Sequence, residues 1–343
     1  VRAALWAGDW NRTAQALAQL PPSLKELARW RYWAARSAEQ EGNAEAARAA
    51  YAQLLPNDNY YAALASVRLG QAFTPHPQAL PQNPALQAQL ARQPALERAH
   101  ELLLCDLRLL AGPEWDTAWA ALDATQRQQL PALAMRWGWY DQGIASASKL
   151  RAFNDYELLY PRPYDGPVHA GAQLTNLPED LLYAILRQES LYNNEVVSRA
   201  NAVGLMQMLP DTAQRTARRW QRPVPTREQL FDPDVIVPLG SAELRDLFDL
   251  FGGQAPPAIA AYNAGPNSAT RWLPDAPHEA PVWVENIPYN ETRDYVQRVL
   301  WHSLVFAWKR SGEAQKADAW TAPVTLPNAA PPAAPAPNAA PPG

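Results

Sequence analysis

Apolar residues return at helical spacing from the start of this chain, over Trp6–Leu20, Leu24–Glu41, Ala44–Leu55 and Tyr60–Leu69, and a Gly or Pro follows each run. A chain patterned this way buries stripes of helices, not alternating faces of strands, so an all-α fold is expected. The segments Gly8-Asp-Trp10 and Gly42-Asn-Ala-Glu-Ala-Ala-Arg-Ala-Ala-Tyr51 read as the turns and small-residue helices of paired-helix repeats. Their period is irregular, which points to an α-solenoid and not to a strict repeat array. At 343 residues the chain is too long for one ordinary core, and two or three units are expected. A proline-rich break at Pro75–Pro81 interrupts the pattern before helix resumes over Ala95–Leu110. Beyond Arg310 the composition turns to Ala, Pro and Asn, and the tail from about Thr321 is expected to be disordered or extended.

The stretch Pro178–Ser190 reads as one helix, with Asn176 or Thr175 available as cap, Pro178 near the first turn and two acids after it. Leu181, Leu182, Ile185 and Leu186 form its apolar stripe, and Glu189 continues that stripe. A carboxylate on a packed face is either paired or held protonated by loss of solvent. The first state is structural, the second is what a general acid needs at neutral pH, and the spacing alone leaves both open.

Further segments follow: Ser190-Leu-Tyr-Asn-Asn194, Ser198, Gly204-Leu-Met-Gln-Met-Leu-Pro210, Ala261-Tyr-Asn-Ala-Gly-Pro266 and Glu285-Asn-Ile-Pro-Tyr-Asn-Glu-Thr-Arg-Asp-Tyr-Val296. Each also has a plain structural reading. The Gly204 segment can be a turn entering a helix, with its methionines as core filler. Gly265 can be a left-handed cap with Pro266 as the stop, and Asn290 can cap a helix whose first turn holds Glu291. Asp211 reads as a helix cap and Glu195 as a solvated charge.

Taken together and in this order, the Glu-Ser, Gly-Leu-Met-Gln, Ala-Tyr-Asn-Ala-Gly and Ile-Pro…Glu-Thr…Tyr-Val segments resemble the soluble lytic murein transglycosylases, a lysozyme-like family that cleaves peptidoglycan. The resemblance covers about residues 160–310. It implies a lysozyme-like catalytic domain at 161–313, a helical linker domain at 93–160 and the end of an α-superhelical domain at 1–92, and composition adds an Ala/Pro-rich disordered tail at 314–343. It implies cleavage of the β-1,4 bond between N-acetylmuramic acid and N-acetylglucosamine, with Glu189 as acid and then base, and a 1,6-anhydromuramyl product. By the same resemblance Ser198 and Gln207 would hydrogen-bond the sugar and Met206 would line the groove. Tyr262 would hold the acid or the reacting ring, Asn263 would shape the same wall, and Glu291 would be an orienting group. A lysozyme-type hydrolase and a non-catalytic murein-binding scaffold remain the alternatives.

Other chemistries find little support. The five histidines are scattered without metal-ligand spacing, and no metal or other cofactor is expected. Gly252-Gly253 lacks the lysine of a phosphate loop. A net charge of −4 without a basic cluster argues against nucleic acid. No apolar run is long enough to span a membrane. The resemblance implies peptidoglycan strands as partner, with other cell-wall enzymes as further expected partners, and the periplasm as compartment. The chain opens on Val1 without Met, which reads as a mature or trimmed product. The lone Cys105 lies in the apolar run Glu101–Leu107 and is expected to be a buried, inert thiol.

Overall fold

The computed structural model describes residues 1–327, and these are overwhelmingly helical. The N-terminal part is a succession of short helices, Arg2–Trp6, Trp10–Ala18, Ala28–Gln40, Ala44–Ala52 and Tyr60–Arg68, in which each packs on near neighbours in sequence. The two longest runs seen in the sequence are each divided. Gly8 at φ 66° ends the first helix, and Asp9 caps the next by accepting from the Arg12 N–H at 2.9 Å. Asn59 caps its helix twice over, accepting from the N–H groups of Tyr61 and Ala62. Each such cap is worth about 1 kcal/mol.

The buried residues form two cores. The larger runs from Leu5 to Val324, so the N-terminal helices and the C-terminal part share one apolar interior. The smaller joins Leu90, Leu96, Trp115, Leu130 and Trp139 and belongs to the middle of the chain alone.

In the larger core the helix Glu179–Ser190 lies against the helix Asn290–Ser311, and six consecutive residues, Leu181–Leu186, are buried. Helices Asp165–Thr175 and Pro233–Leu250 approach closely because Gly171 has no side chain: a Cβ there would sit 2.5 Å from the Ser241 Oγ. The cap expected from Asn176 or Thr175 is not used. Asn176 ends the preceding helix in the left-handed region, while the Thr175 hydroxyl donates to the Gly171 carbonyl. Pro178 takes the cap position without any side-chain bond. Pro266 likewise does not stop a chain segment but begins the next helix, Pro266–Arg271.

Two further expectations are corrected. Cys105 is exposed, because its helix ends at Leu104: Leu102 and Leu103 pack against the smaller core, while Leu104, Leu107 and Leu109, the last 92 % exposed, face outward. Periodicity marks which residues share a face but not whether anything covers it. The disordered tail does not begin at 314. Gln315 and Phe73 exchange backbone hydrogen bonds at 2.8 Å, Trp320 stacks on Tyr60, and Pro323–Val324 pairs antiparallel with His278–Glu279. Trp320 and Val324 are the apolar anchors, and open backbone edges elsewhere in the fold receive the strand. The remainder of that expected tail lies outside the described residues.

After Ser190 the chain turns through a loop held by bridges of Val203 to Val197 and Met208. Leu191, Tyr192, Asn201, Gly204 and Gln207 all have φ between 45° and 69°, a region that costs a non-glycine residue about 1–2 kcal/mol. At Gly204 the constraint is doubled, since a Cβ would lie 2.4 Å from the Leu230 carbonyl oxygen. Gly204→Ala is therefore expected to destabilise the protein by roughly 2–4 kcal/mol, or about 4–10 °C in thermal midpoint followed by circular dichroism. A midpoint within about 1 °C of wild type would show that the loop relaxes freely around this position.

Candidate active site

Glu189 stands in the last turn of its helix, one residue before the end and on the face that meets the helix Asn290–Ser311. Its carboxyl is half-buried and accepts a hydrogen bond from the Tyr295 hydroxyl at 2.5 Å. Burial pushes its pKa from the ordinary 4.5 up to about 7, with a smaller push from the charge of Glu291, while the Tyr295 hydroxyl pulls the other way. Burial, and then the Glu189 charge and hydrogen bond, raise Tyr295 well above the usual tyrosine range, so it stays a hydrogen-bond donor. Tyr262 is raised by burial and by the nearby Glu189 charge, and its hydroxyl donates to the Met206 carbonyl at 2.9 Å.

Glu189 thus has two neutral tyrosines and one carboxylate near it. Arg187, two residues earlier and so on the other side of the helix, points away and donates to the Leu159 carbonyl. Among the described residues Glu189 has no salt-bridge partner.

The other residues singled out from the sequence fall into two groups. Asn263, Ala264 and Pro288–Thr292 line a concavity of about 510 Å³, with the exposed Glu291 in the first turn of its helix. There Asn263 accepts from the Thr292 hydroxyl at 2.6 Å, which fixes its amide plane. The second group lies in the strained loop. Gln207 donates its amide to the carbonyls of Val196 at 3.1 Å and Gly204 at 2.9 Å. Ser198 accepts from the Ala202 N–H at 3.0 Å. Among the described residues no protein group takes the Ser198 hydroxyl proton, the Gln207 side-chain carbonyl or the Asn263 amide.

Met206 does not line the groove. It is 0 % exposed, and its side chain packs on Gly240, where a Cβ would lie 2.7 Å from the Met206 Cε. Its left-handed neighbours turn the side chain into the core, and only its carbonyl faces the site, as the acceptor for Tyr262. Asp211 does not cap: it sits within the first turn of Pro210–Arg219, where its charge suits the helix dipole. Glu195 is exposed and pairs with Arg108 at 3.6 Å.

Tyr295 is the residue that reading the sequence missed. A signal existed, since it lies four residues after Glu291 on one helix face and closes the fourth motif. Among the described residues no group of three or more His, Cys, Asp or Glu could hold a metal ion, and no helix is long and apolar enough to cross a membrane.

Residues 167–281 match the transglycosylase SLT domain, and residues 89–155 match the soluble lytic murein transglycosylase L domain. Glu291 and Tyr295 lie beyond the first match yet fold onto it. The soluble lytic murein transglycosylase of Escherichia coli K12 is 31 % identical over 303 residues, which make up 88 % of this chain and 47 % of that protein. The lytic transglycosylase Slt of Pseudomonas aeruginosa, solved as an inactive glutamate-to-glutamine mutant, superposes with a TM-score of 0.87 at 30 % identity, over 94 % of this chain and 53 % of the other. The 70 kDa soluble lytic transglycosylase of Escherichia coli gives 0.85 at 29 % identity, over the same 94 % and 53 %. The chain spans about half the length of the curated relatives it matches. In its two matched domains, and in a helical fold shared over nearly its whole length, the chain belongs to the soluble lytic murein transglycosylase family.

Proposed function

We propose that this chain is a lytic murein transglycosylase that cleaves the β-1,4 bond between N-acetylmuramic acid and N-acetylglucosamine. What carries the reading is a half-buried carboxyl, raised to about 7 and hydrogen-bonded by a tyrosine, together with unused polar groups at Ser198, Gln207 and Asn263. In the first step the Glu189 proton passes to the glycosidic oxygen as the C1–O bond breaks. In the second the Glu189 carboxylate takes the proton of the C6 hydroxyl, whose oxygen closes on C1. The product is the 1,6-anhydro sugar, and no water is consumed. Tyr295 stabilises the carboxylate between the two steps, and Tyr262 braces the loop that faces it. Ser198, Gln207 and Asn263 take the sugar's polar groups, and Glu291 raises Glu189 through space. A relative inactivated by one glutamate-to-glutamine change fits this economy of acids. The proposed partner is the glycan strand of peptidoglycan, alongside other cell-wall enzymes, and the proposed compartment is the periplasm. The proposed units are 1–92, 93–160 and 161–313, and the separate small core spanning Leu90–Trp139 supports the middle one.

Mass spectrometry of isolated sacculi digested by wild type and Glu189→Gln tests the chemistry. Muropeptides one water lighter than lysozyme products, lost with the variant, are expected. Fully hydrated products requiring both Glu189 and Glu291 would make the chain a hydrolase, and sacculus binding without products would make it a scaffold. Since the folded-state pKa of this acid is raised, ionising it costs stability as pH climbs from 4.5 through about 7. Glu189→Gln should therefore unfold at the same temperature as wild type below that window and at a higher temperature above it. Equal midpoints at pH 8 would place the carboxyl in ordinary solvent. The proton-donating step requires protonated Glu189, so kcat should decline above about 7. Tyr295→Phe removes a hydrogen bond to the carboxylate, which should lower kcat and move that alkaline limb upward; an unmoved limb would remove Tyr295 from the mechanism.

A further inference from the structure

The helix that carries Tyr295 is gripped from the N-terminal part of the chain. Asp294 and Gln297 flank Tyr295, and both receive hydrogen bonds from the Arg29 guanidinium, at 3.0 and 3.2 Å. Gln297 also donates to the Tyr61 hydroxyl at 2.9 Å, and so does Arg29 at the same distance. The Tyr61 hydroxyl passes its own proton toward Glu285, at 2.9 Å. Glu285 further accepts from Arg2 and from the Trp33 indole, each at 3.1 Å, and its side chain is only 1 % exposed.

The position of Glu285 is as telling as its burial. It is the last residue of the helix Ala280–Glu285, directly before the turn that leads into the helix Asn290–Ser311. Arg293 ties that turn back onto the helix, donating to the Ile287 carbonyl at 2.5 Å and the Asn290 side chain at 2.8 Å. The turn and the first two helical turns after it are thus held by donors and acceptors from three N-terminal helices. A buried carboxylate among guanidiniums adds little net stability over an apolar core of the same shape. What such a cluster supplies is a single geometry, because every member has one set of partners and no alternative that satisfies them.

That geometry matters at Tyr295. A helix rises 1.5 Å and turns 100° per residue, so a slip of one position would carry the Tyr295 hydroxyl far outside a 2.5 Å contact with Glu189. We propose that Glu285, Arg29 and Tyr61 form a positioning cluster through which the N-terminal helices set the register of the Tyr295 helix against Glu189. The N-terminal helices then belong to the catalytic apparatus in addition to any part they take in gathering substrate. This inference rests on the reading that Glu189 and Tyr295 carry the reaction.

Tyr61→Phe removes one hydroxyl at constant shape, and Glu285→Gln removes the charge. Leu133→Ala, in the separate small core, is the stability control. Initial rates on soluble glycan strands from peptidoglycan would be measured over pH, at temperatures where each variant is folded. Tyr61→Phe and Glu285→Gln should lower kcat by about 10- to 100-fold with KM little changed. The groups facing Glu189 are Tyr295, Tyr262 and Glu291, and loosening only the first should move the alkaline limb upward. Leu133→Ala, at an equal or larger loss of thermal midpoint, should keep the wild-type kcat and limb. Should Glu285→Gln fail to fold, Tyr61→Phe carries the comparison alone. Wild-type kcat and pH profile in the folded cluster variants, or an equal fall in the control, would overturn the inference. Loss of activity in Glu189→Gln beside an unaffected Tyr61→Phe would overturn the positioning cluster and leave the catalytic reading standing, whereas an active Glu189→Gln would remove both.

Discussion

The contact between the helices Glu179–Ser190 and Asn290–Ser311 is the constraint on which the rest of the molecule turns. Six consecutive buried residues in the first leave no solvated face along its centre, so its end must emerge where the core runs out. Glu189 sits at that edge. Deeper in the helix a carboxyl would need full pairing, and further out it would be an ordinary exposed acid. At the edge it is half-buried and raised to about 7, with a hydroxyl and not a cation as its partner. A cation there would have held the carboxylate ionised and prevented proton donation. Placement at the margin of a core does the tuning without any unusual chemistry.

The loop that follows is formed at a conformational cost. Leu191, Tyr192 and Gln207 occupy a backbone region that side chains avoid, and the larger core must offset that strain. The return is orientation. Met206 is turned inward and exposes only its carbonyl, while Gln207 spends its amide on the backbone and keeps its carbonyl available. Tyr262 closes the arrangement by bonding that Met206 carbonyl from another helix. Segments far apart in sequence are therefore joined by main-chain as much as by side-chain atoms.

The shared core of the N-terminal helices and the C-terminal part changes the meaning of the sequence's domain pattern. Composition and helical spacing suggested successive units, and the small middle core is such a unit. The first helices are different, since their apolar faces and the cluster at Glu285 are continuous with the interior behind Tyr295. A boundary in sequence is here a joint within one packed body.

Read by itself, the sequence determined the all-helical class, the helix that bears Glu189, the apolar stripe that makes a charge there conspicuous, and the order of the four segments around it. These are local properties, set by spacing within a few turns. Only the tertiary structure decided which way side chains in the loop point, because left-handed residues at 191, 192 and 207 break any periodic rule. It alone exposed Cys105, which lies just past its helix end between the exposed Leu104 and Leu107, and drew the segment around Gln315–Val324 onto Phe73 and His278. It alone joined Tyr295 to Glu189, which are 106 positions apart. Contacts of that range depend on how helices stack and where their ends fall, and no local pattern records it.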